Sequence, residues 1–338
     1  MQTYNINTEK SQQILSTIPV LETDEKPPLL LDTLAQLPCL STDKGFKGVL
    51  KKRARSKFIT DNLVLNLVDT VGTPLKKSYW NSFHCTSEIS QIDGKLTAKY
   101  CKNRWCLTCN RIRTAILMNG YLPQLITLSD PQFVSLTIKN VPGEQLKESL
   151  DIMYKTITQV KGYLSNKGIK LIGLRKMECT NNAIENTNHP HYHLAIQGKH
   201  NAEALVSEWL ERINKTDLSA ESWCQDIREA DGRSCMELFK YFTKIISNSS
   251  KDRTIHIKAL DTIFRAMYGK RVFQPLGIKK VDDDALFEKI RAELYADLPE
   301  GNTLYKWFEN DWIDTSTGEF LTGYAPSDNV KTLVNNMK

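Results

Sequence analysis

The sequence predicts an α+β fold, a ferredoxin-like (split βαβ) antiparallel sheet with flanking helices. Three observations carry that expectation. Residues 133–139 (FVSLTIK) alternate apolar and polar positions with β-branched side chains, a strand pattern. Residues 144–164 place Leu146, Leu150, Met153, Ile157, Val160 and Leu164 at steps of three and four, a helix pattern. From residue 133 onward the signals run strand, helix, strand, strand, helix, strand, helix.

Each element has its own signal. Pro142-Gly143 turns the chain between the first strand and the first helix. Ile169–Glu178 is expected as the second strand and His191–Gln197 as the third. Asn201 is expected to cap an amphipathic helix carrying Leu205, Trp209, Leu210 and Ile213. Ser222–Glu229 is expected as the fourth strand and Met236–Ser247 as the closing helix. Upstream, residues 1–43 are polar, mildly acidic and aperiodic, and poor order is expected there. Lys44–Lys57 holds seven basic residues and no acid. It reads either as a solvated charge run or as an arm whose Lys51, Lys52, Arg53 and Arg55 neutralise phosphates.

These signals divide the chain into four regions. Residues 1–75 form a partly disordered N-terminal extension with the basic arm 44–57, and 76–125 a cysteine-rich module. Residues 126–250 form the sheet-bearing core, and 251–338 a C-terminal helical region with an acidic tail. Tyr305, Trp307 and Trp312 in that tail are expected to pack a small subdomain.

Charge is unevenly distributed. Residues 282–338 carry 12 acidic against 5 basic residues, leaving 40 basic against 27 acidic in the remainder. A basic body suits an anionic partner such as nucleic acid. The apolar stretch from Pro27 to Leu40 is too short to span a bilayer and is interrupted by Asp32 and Gln36. With no basic-then-apolar leader at the start, a cytoplasmic location without membrane partners is expected. Eight cysteines in 338 residues do not resemble a secreted disulfide scaffold.

Residues 189–193 read His-Pro-His-Tyr-His. On a strand, His191 and His193 share one face while Tyr192, Leu194 and Ile196 share the other. Glu178 at the end of the preceding strand can complete the ligand set. Two imidazoles and a carboxylate leave positions open for substrate, as a catalytic Mg²⁺ or Mn²⁺ requires. His189 is offset by Pro190 and reads as a turn residue. Cys85, Cys101, Cys106 and Cys109 have the number and softness for a structural Zn²⁺, with His84 as a substitute for Cys85. Reduced thiols and an iron–sulfur centre are the other readings. Arg104, Trp105, Arg111 and Arg113 interleave cations with an aromatic ring, suiting either DNA contact or a buried Trp with surface arginines.

In 236–247 (MELFKYFTKIIS) Glu237, Tyr241 and Lys244 form one stripe of a helix. The stripe reads either as a polar rim or as chemistry. A phenolate can attack a phosphodiester, aided by Lys244, and Glu237 can accept a proton from the nucleophile that later releases the ester.

Taken together, the motifs resemble those of rolling-circle replication initiators of plasmids, single-tyrosine members of the HUH endonuclease superfamily. The likeness covers residues 133–139, His189–Ala195, Glu237–Lys244 and the cysteine segment Cys101–Cys109, and spans roughly residues 85–280. Leu107 stands where the family commonly has Pro. The resemblance implies an HUH nicking core, with His191 and His193 as metal ligands and Tyr241 as the nucleophile forming a 5′-phosphotyrosine link. It implies Glu237 as activator of the terminating nucleophile, single-stranded or cruciform origin DNA as substrate, and a host helicase and polymerase as partners. A relaxase or transposase with the same chemistry, a zinc-dependent DNA-binding regulator without catalysis, and a mononuclear metal oxygenase are the alternatives.

Overall fold

The computed structural model describes residues 46–92, 95–239, 256–280 and 301–337. Two helices, Phe46–Val68 (α1) and Lys76–Phe83 (α2), lead into a hairpin, Glu88–Ile92 (β1) and Lys95–Ala98 (β2), and a long helix, Leu107–Leu125 (α3). Pro131–Thr137 (β3), Val141–Pro142 (β4), Leu146–Asn166 (α4), Gly173–Asn182 (β5) and Thr187–Gln197 (β6) follow. Then come Lys199–Ile213 (α5), Asp226–Glu229 (β7), Gly232–Glu237 (α6), Ile257–Met267 (α7) and Phe273–Leu276 (β8). Thr303–Phe308 (β9), Asp311–Asp314 (β10) and Asp328–Asn335 (α8) complete the described elements.

The expected α+β class is found. The main sheet has the order β7-β3-β6-β5-β8 with antiparallel neighbours. In order of appearance its first four long strands lie 4-1-3-2, the split βαβ arrangement, and β8 adds an edge. One face is covered by α4 and α5. The helix stripe Leu146, Leu150, Met153, Ile157, Val160 and Leu164 is buried against Val134, Leu136, Met177, Tyr192, Leu194 and Ile196. Each such burial contributes about 1.5–3 kcal/mol, enough to make this layer set the strand register. On the opposite face, Phe133, Leu174 and Ala195 pack against Met118, Tyr121, Leu122 and Leu125 of α3. Cys235 of α6, with Leu238 and Phe239 just beyond it, joins this second layer.

Several boundaries differ from the sequence expectation, each for a local reason. The second strand runs Gly173–Asn182 rather than 169–178. Residues 167–169 instead terminate α4: Gly168 takes φ +80° and donates to the Ser165 carbonyl, and Ile169 donates to that of Leu164 at 2.9 Å. The third strand starts earlier, at Thr187, because the β5–β6 hairpin pairs out to Asn182 opposite Thr187. Asn201 is not the cap of α5. Gly198 is, and Asp130 accepts from the Lys199 amide at 2.6 Å, while the Asn201 side chain turns back to the Gln197 carbonyl. Residues 222–224 form a 3₁₀ turn, so the fourth strand is only Asp226–Glu229. Of the closing helix, α6 begins early, at Gly232 with Asp231 as its cap, and residues 240–247 lie outside the described residues.

The basic run is a second correction. From residue 46 it is not an arm but the start of α1, and the Lys57 side chain is buried, donating to Asp61 at 2.9 Å and to the Phe83 carbonyl at 2.6 Å. Burial pushes the Asp61 carboxyl up to about 6, although Lys57 opposes it. Lys51 and Arg55 are exposed, while Lys52 and Arg53 are half-buried. The aperiodic residues 1–43 lie outside the described residues.

The C-terminal region, expected to be helical, contributes two strands. They pair with the N-terminal hairpin in a second antiparallel sheet, β10-β9-β1-β2. Trp312 is fully buried, donates from Nε1 to the Thr86 carbonyl at 2.7 Å and packs edge-on to Trp307. Tyr305, Leu50, Ala54 and Ile89 surround it, so the tail aromatics do pack a subdomain.

Among the described glycines, Gly173 leaves the least room for a side chain. Its φ is +150°, and an added Cβ would lie 1.9 Å from the Ala195 carbonyl oxygen. Gly173→Ala is expected to lose about 3 kcal/mol or more, as overpacking against backbone does. Chemical denaturation of the purified variant checks this, and a wild-type midpoint would refute it.

Candidate metal centres on the histidine face

Strand parity builds the first site. β6 lies between β3 and β5, with Glu178 opposite His191, Lys176 opposite His193, and Ser135 opposite His193 from the other side. The face that carries Phe133, Leu174 and Ala195 therefore carries Ser135, Lys176, Glu178, His191 and His193 farther along the same strands. At one end the face is sealed by α3 and α6, and at the other the polar groups converge.

Three ligand atoms from Glu178, His191 and His193 lie within 4.8 Å of one another. Glu178 Oε2 is 3.4 Å from His191 Nε2 and 3.1 Å from His193 Nε2. The His191 Nδ1 is 3.0 Å from the His189 carbonyl, which can only accept, so Nδ1 carries a proton and Nε2 is the atom turned toward Glu178. His193 Nδ1 is held by Ser135 Oγ at 3.0 Å. Two ring nitrogens and a carboxylate oxygen thus meet at one point. The donor set fits a divalent ion, with the other ring nitrogens held by outer groups as metal-bound histidines require.

Electrostatics agree. Burial raises the Glu178 carboxyl, yet hydrogen bonds from the two imidazoles and the Lys176 ammonium at 2.6 Å outweigh it and hold the group well below the usual range. Burial lowers His193, opposed by Glu178, and burial with the neighbouring imidazoles brings His189 down to about 4. His189 sits beside His191, its Nδ1 on Asn140 at 2.9 Å, and is outside the three-ligand cluster.

The second site is the cysteine knot. Cys85, Cys101, Cys106 and Cys109 place their sulfurs within 4.8 Å of one another, with Cys109 3.5 Å from Cys85 and 3.6 Å from Cys101. These separations exclude disulfides, which need about 2.05 Å. They match the edges of about 3.8 Å expected for a thiolate tetrahedron with metal–sulfur bonds of about 2.3 Å. Backbone amides of Cys101, Lys102, Asn103 and Cys109 point at the sulfurs at 3.3–3.5 Å. Hydrogen bonds among the thiols lower Cys101 and raise Cys85 and Cys106. Cys106 also caps α3. His84 is not part of the cluster.

Other residues singled out in the sequence are dispersed. Arg104 donates to the Met267 carbonyl at 3.1 Å and Arg113 to that of Lys102 at 2.6 Å, which ties both to the fold. Arg111 is half-buried and Trp105 is buried against Tyr79 and Phe264. Glu237 is exposed at the end of α6, whereas Tyr241 and Lys244 lie outside the described residues. Ser135, Asn140 and Lys176 were missed by the sequence reading. Ser135 and Lys176 were accessible to it, because each shares the strand parity of the ligand beside it.

The chain resembles known proteins over much of its length. It is 25% identical over 257 residues to a protein named "Protein rep" from Streptococcus pneumoniae serotype 2 (strain D39 / NCTC 7466), covering 68% of this chain and 75% of the relative. A "Protein rep" from Bacillus amyloliquefaciens is 26% identical over 246 residues, covering 63% and 70%. A third, from a Bacillus species, is 28% identical over 181 residues, covering 49% and 57%. No solved structure gives a significant match. A family model described as "Replication protein" matches residues 95–300, which include both strands of the Glu-His-His cluster. The match bears out the resemblance to rolling-circle plasmid initiators, and the chain belongs to the Replication protein family.

Proposed function

We propose that this protein starts plasmid replication by nicking one strand of origin DNA, with Tyr241 as nucleophile and Glu178, His191 and His193 holding a divalent ion. The carrying observation is the convergence of those three ligands on a sheet face that Leu238 and Phe239 also cover. Tyr241 itself lies outside the described residues, and its assignment here rests on the Glu237–Lys244 motif.

A bound Mg²⁺ or Mn²⁺ would polarise the scissile phosphate and steady its charge. The protein groups supply the rest. The phenolic oxygen of Tyr241 bonds to phosphorus as the P–O3′ bond breaks; the phenol loses its proton and the departing 3′ oxygen gains one. Lys244 favours the phenolate. In the second step a 3′-hydroxyl or water attacks the phosphotyrosine, Glu237 takes its proton, and the tyrosine is restored. Ser135 keeps His193 oriented and Lys176 fixes the Glu178 carboxylate. Lys51, Lys52, Arg53 and Arg55 on α1 add salt-sensitive phosphate contacts. A host helicase and polymerase would extend the freed 3′ end. The Replication protein match favours this reading over a relaxase, transposase or oxygenase.

The cysteine knot is proposed to hold a structural Zn²⁺ that joins α2, the β1–β2 hairpin and the start of α3. The four regions read from the sequence then become an α1 extension, this zinc module, the nicking core and a C-terminal segment that returns to the module.

The metal assignment has a graded test. His193→Ala and Glu178→Ala should abolish Mn²⁺-dependent cleavage of a labelled origin oligonucleotide. Ser135→Ala should weaken the apparent Mn²⁺ affinity by about 10–100-fold, as loss of an outer-shell partner does, and excess metal should restore its rate. Cleavage by Glu178→Ala at the wild-type rate would refute the ligand set.

A further inference from the structure

A groove of about 1220 Å³ lies where α2, the β5–β6 hairpin with the first turn of α4, and α7 meet. Its walls carry four cations, Lys77, Lys147, Lys258 and Arg265, against one carboxylate, Glu144. The three lysines are exposed and form no ion pair among the described residues. The groove exceeds the roughly 300–1,000 Å³ of a small-molecule site, and its charge is spread over three elements rather than focused on one point.

Two further features narrow the ligand. Asn81 and Asn186 present exposed side-chain amides on opposite walls. Tyr268 is 65% exposed, one ring face resting on Trp105 at 6.5 Å. An aromatic ring so placed can stack on an unpaired base, and amides can read base edges that are free of Watson–Crick partners.

The walls are tied together. Asp261 of α7, fully buried, accepts from Thr73 at 2.6 Å and from Tyr79 at 2.7 Å, and holds Arg265 at 2.8 Å. Asn103, in the cysteine loop, donates to the Ser78 carbonyl of α2 at 2.7 Å. The groove is therefore built before any ligand arrives. Its hairpin wall includes Asn188, three residues before His191 on β6, which places it about 10 Å along the strand from the ligand cluster. By strand parity it lies on the other face of the sheet, so a bound strand would pass round the hairpin end to join the two.

We infer that this groove binds a single-stranded segment of DNA flanking the cleavage point. The three lysines meet phosphates, Asn81 and Asn186 read base edges, and Tyr268 stacks on a base. The inference rests on the nicking reading for the identity of the strand.

The test is fluorescence anisotropy with a labelled single-stranded origin oligonucleotide and its duplex, over a series of salt concentrations. In K77A/K147A/K258A the slope of log affinity against log salt for the single strand should flatten by about two, at roughly 0.7 per lost phosphate contact. Tyr268→Ala should weaken single-strand binding about tenfold without altering the slope. Duplex binding should change less than threefold in both, and circular dichroism melts should confirm that both fold. Unchanged single-strand affinity and slope in the triple variant would overturn the groove assignment, as would an equal loss for duplex. The Tyr241 adduct is scored in parallel. Absence of that adduct in the wild-type chain defeats the nicking reading, whereas intact adduct with unaltered single-strand binding by the triple variant defeats the groove alone.

Discussion

Tyr241→Phe is expected to eliminate the covalent protein–DNA adduct while leaving origin binding within about twofold of wild type. The measurement uses an oligonucleotide labelled on the 3′ side of the cut, incubated with Mn²⁺ and resolved on a denaturing gel. The label should migrate with the wild-type chain and not with the variant. Removing one oxygen leaves the ring but deletes the atom that would bond phosphorus. Deleting a covalent nucleophile typically costs about 10⁴–10⁶-fold in rate, far beyond what any positioning residue contributes. Leu238 and Phe239 stand three and two positions before Tyr241 in the sequence. Leu238 and Phe239 are buried on the sheet face bearing His191 and His193, with Phe239 stacked on Phe273 at 6.1 Å. A full adduct in the variant would assign the chemistry to another side chain. Absence of any adduct from the wild-type chain across cognate origins would favour a zinc-dependent regulator.

The largest expected effect on stability comes from the cysteine knot. The purified chain should contain one zinc per molecule by elemental analysis, and Cys109→Ser should lose it. Cys109 is the choice because its sulfur approaches both Cys85 and Cys101. Without the ion, four thiols in a largely buried pocket lose the cation that reconciles their charge, and the cap of α3 at Cys106 loosens. α3 is also a principal cover of the histidine face, through Met118, Tyr121, Leu122 and Leu125. Structural zinc provides about 10–16 kcal/mol of apparent folding energy in isolated fingers. Here α1 and the second sheet support the module independently, so a loss of about 5 kcal/mol is expected. For a domain of this size that corresponds to a fall in Tm of about 10–20 °C. A metal-free wild-type chain, or a Cys109→Ser melt that overlays it, would overturn the assignment.

Much of this was readable from residue order. Period-two alternation in 133–139 and 191–197 marked strands, and the 3–4 spacing of Leu146 through Leu164 marked the helix that covers them. Both follow from local backbone geometry, in which a repeat of the dihedral angles fixes which side chains share a face. The same rule put His191 and His193 on one face, and the cysteine spacing foretold a four-sulfur cluster. Where the reading fell short, the missing information was the partner. A seven-residue basic run looks the same whether solvated or, like Lys57, sealed against Asp61 and Phe83. Asn201 had the chemistry of a cap, but Asp130, about 70 positions upstream, reached the helix amide first.

Local periodicity in this chain settled the element types, their apolar faces and the candidate ligands, since each depends on neighbours a few residues apart. Long-range packing settled the pairing of residues 88–91 with 303–306, the meeting of Glu178 with two imidazoles, and the groove between α2 and α7. Those outcomes arise from competition among all buried surfaces at once, which no short window of sequence records.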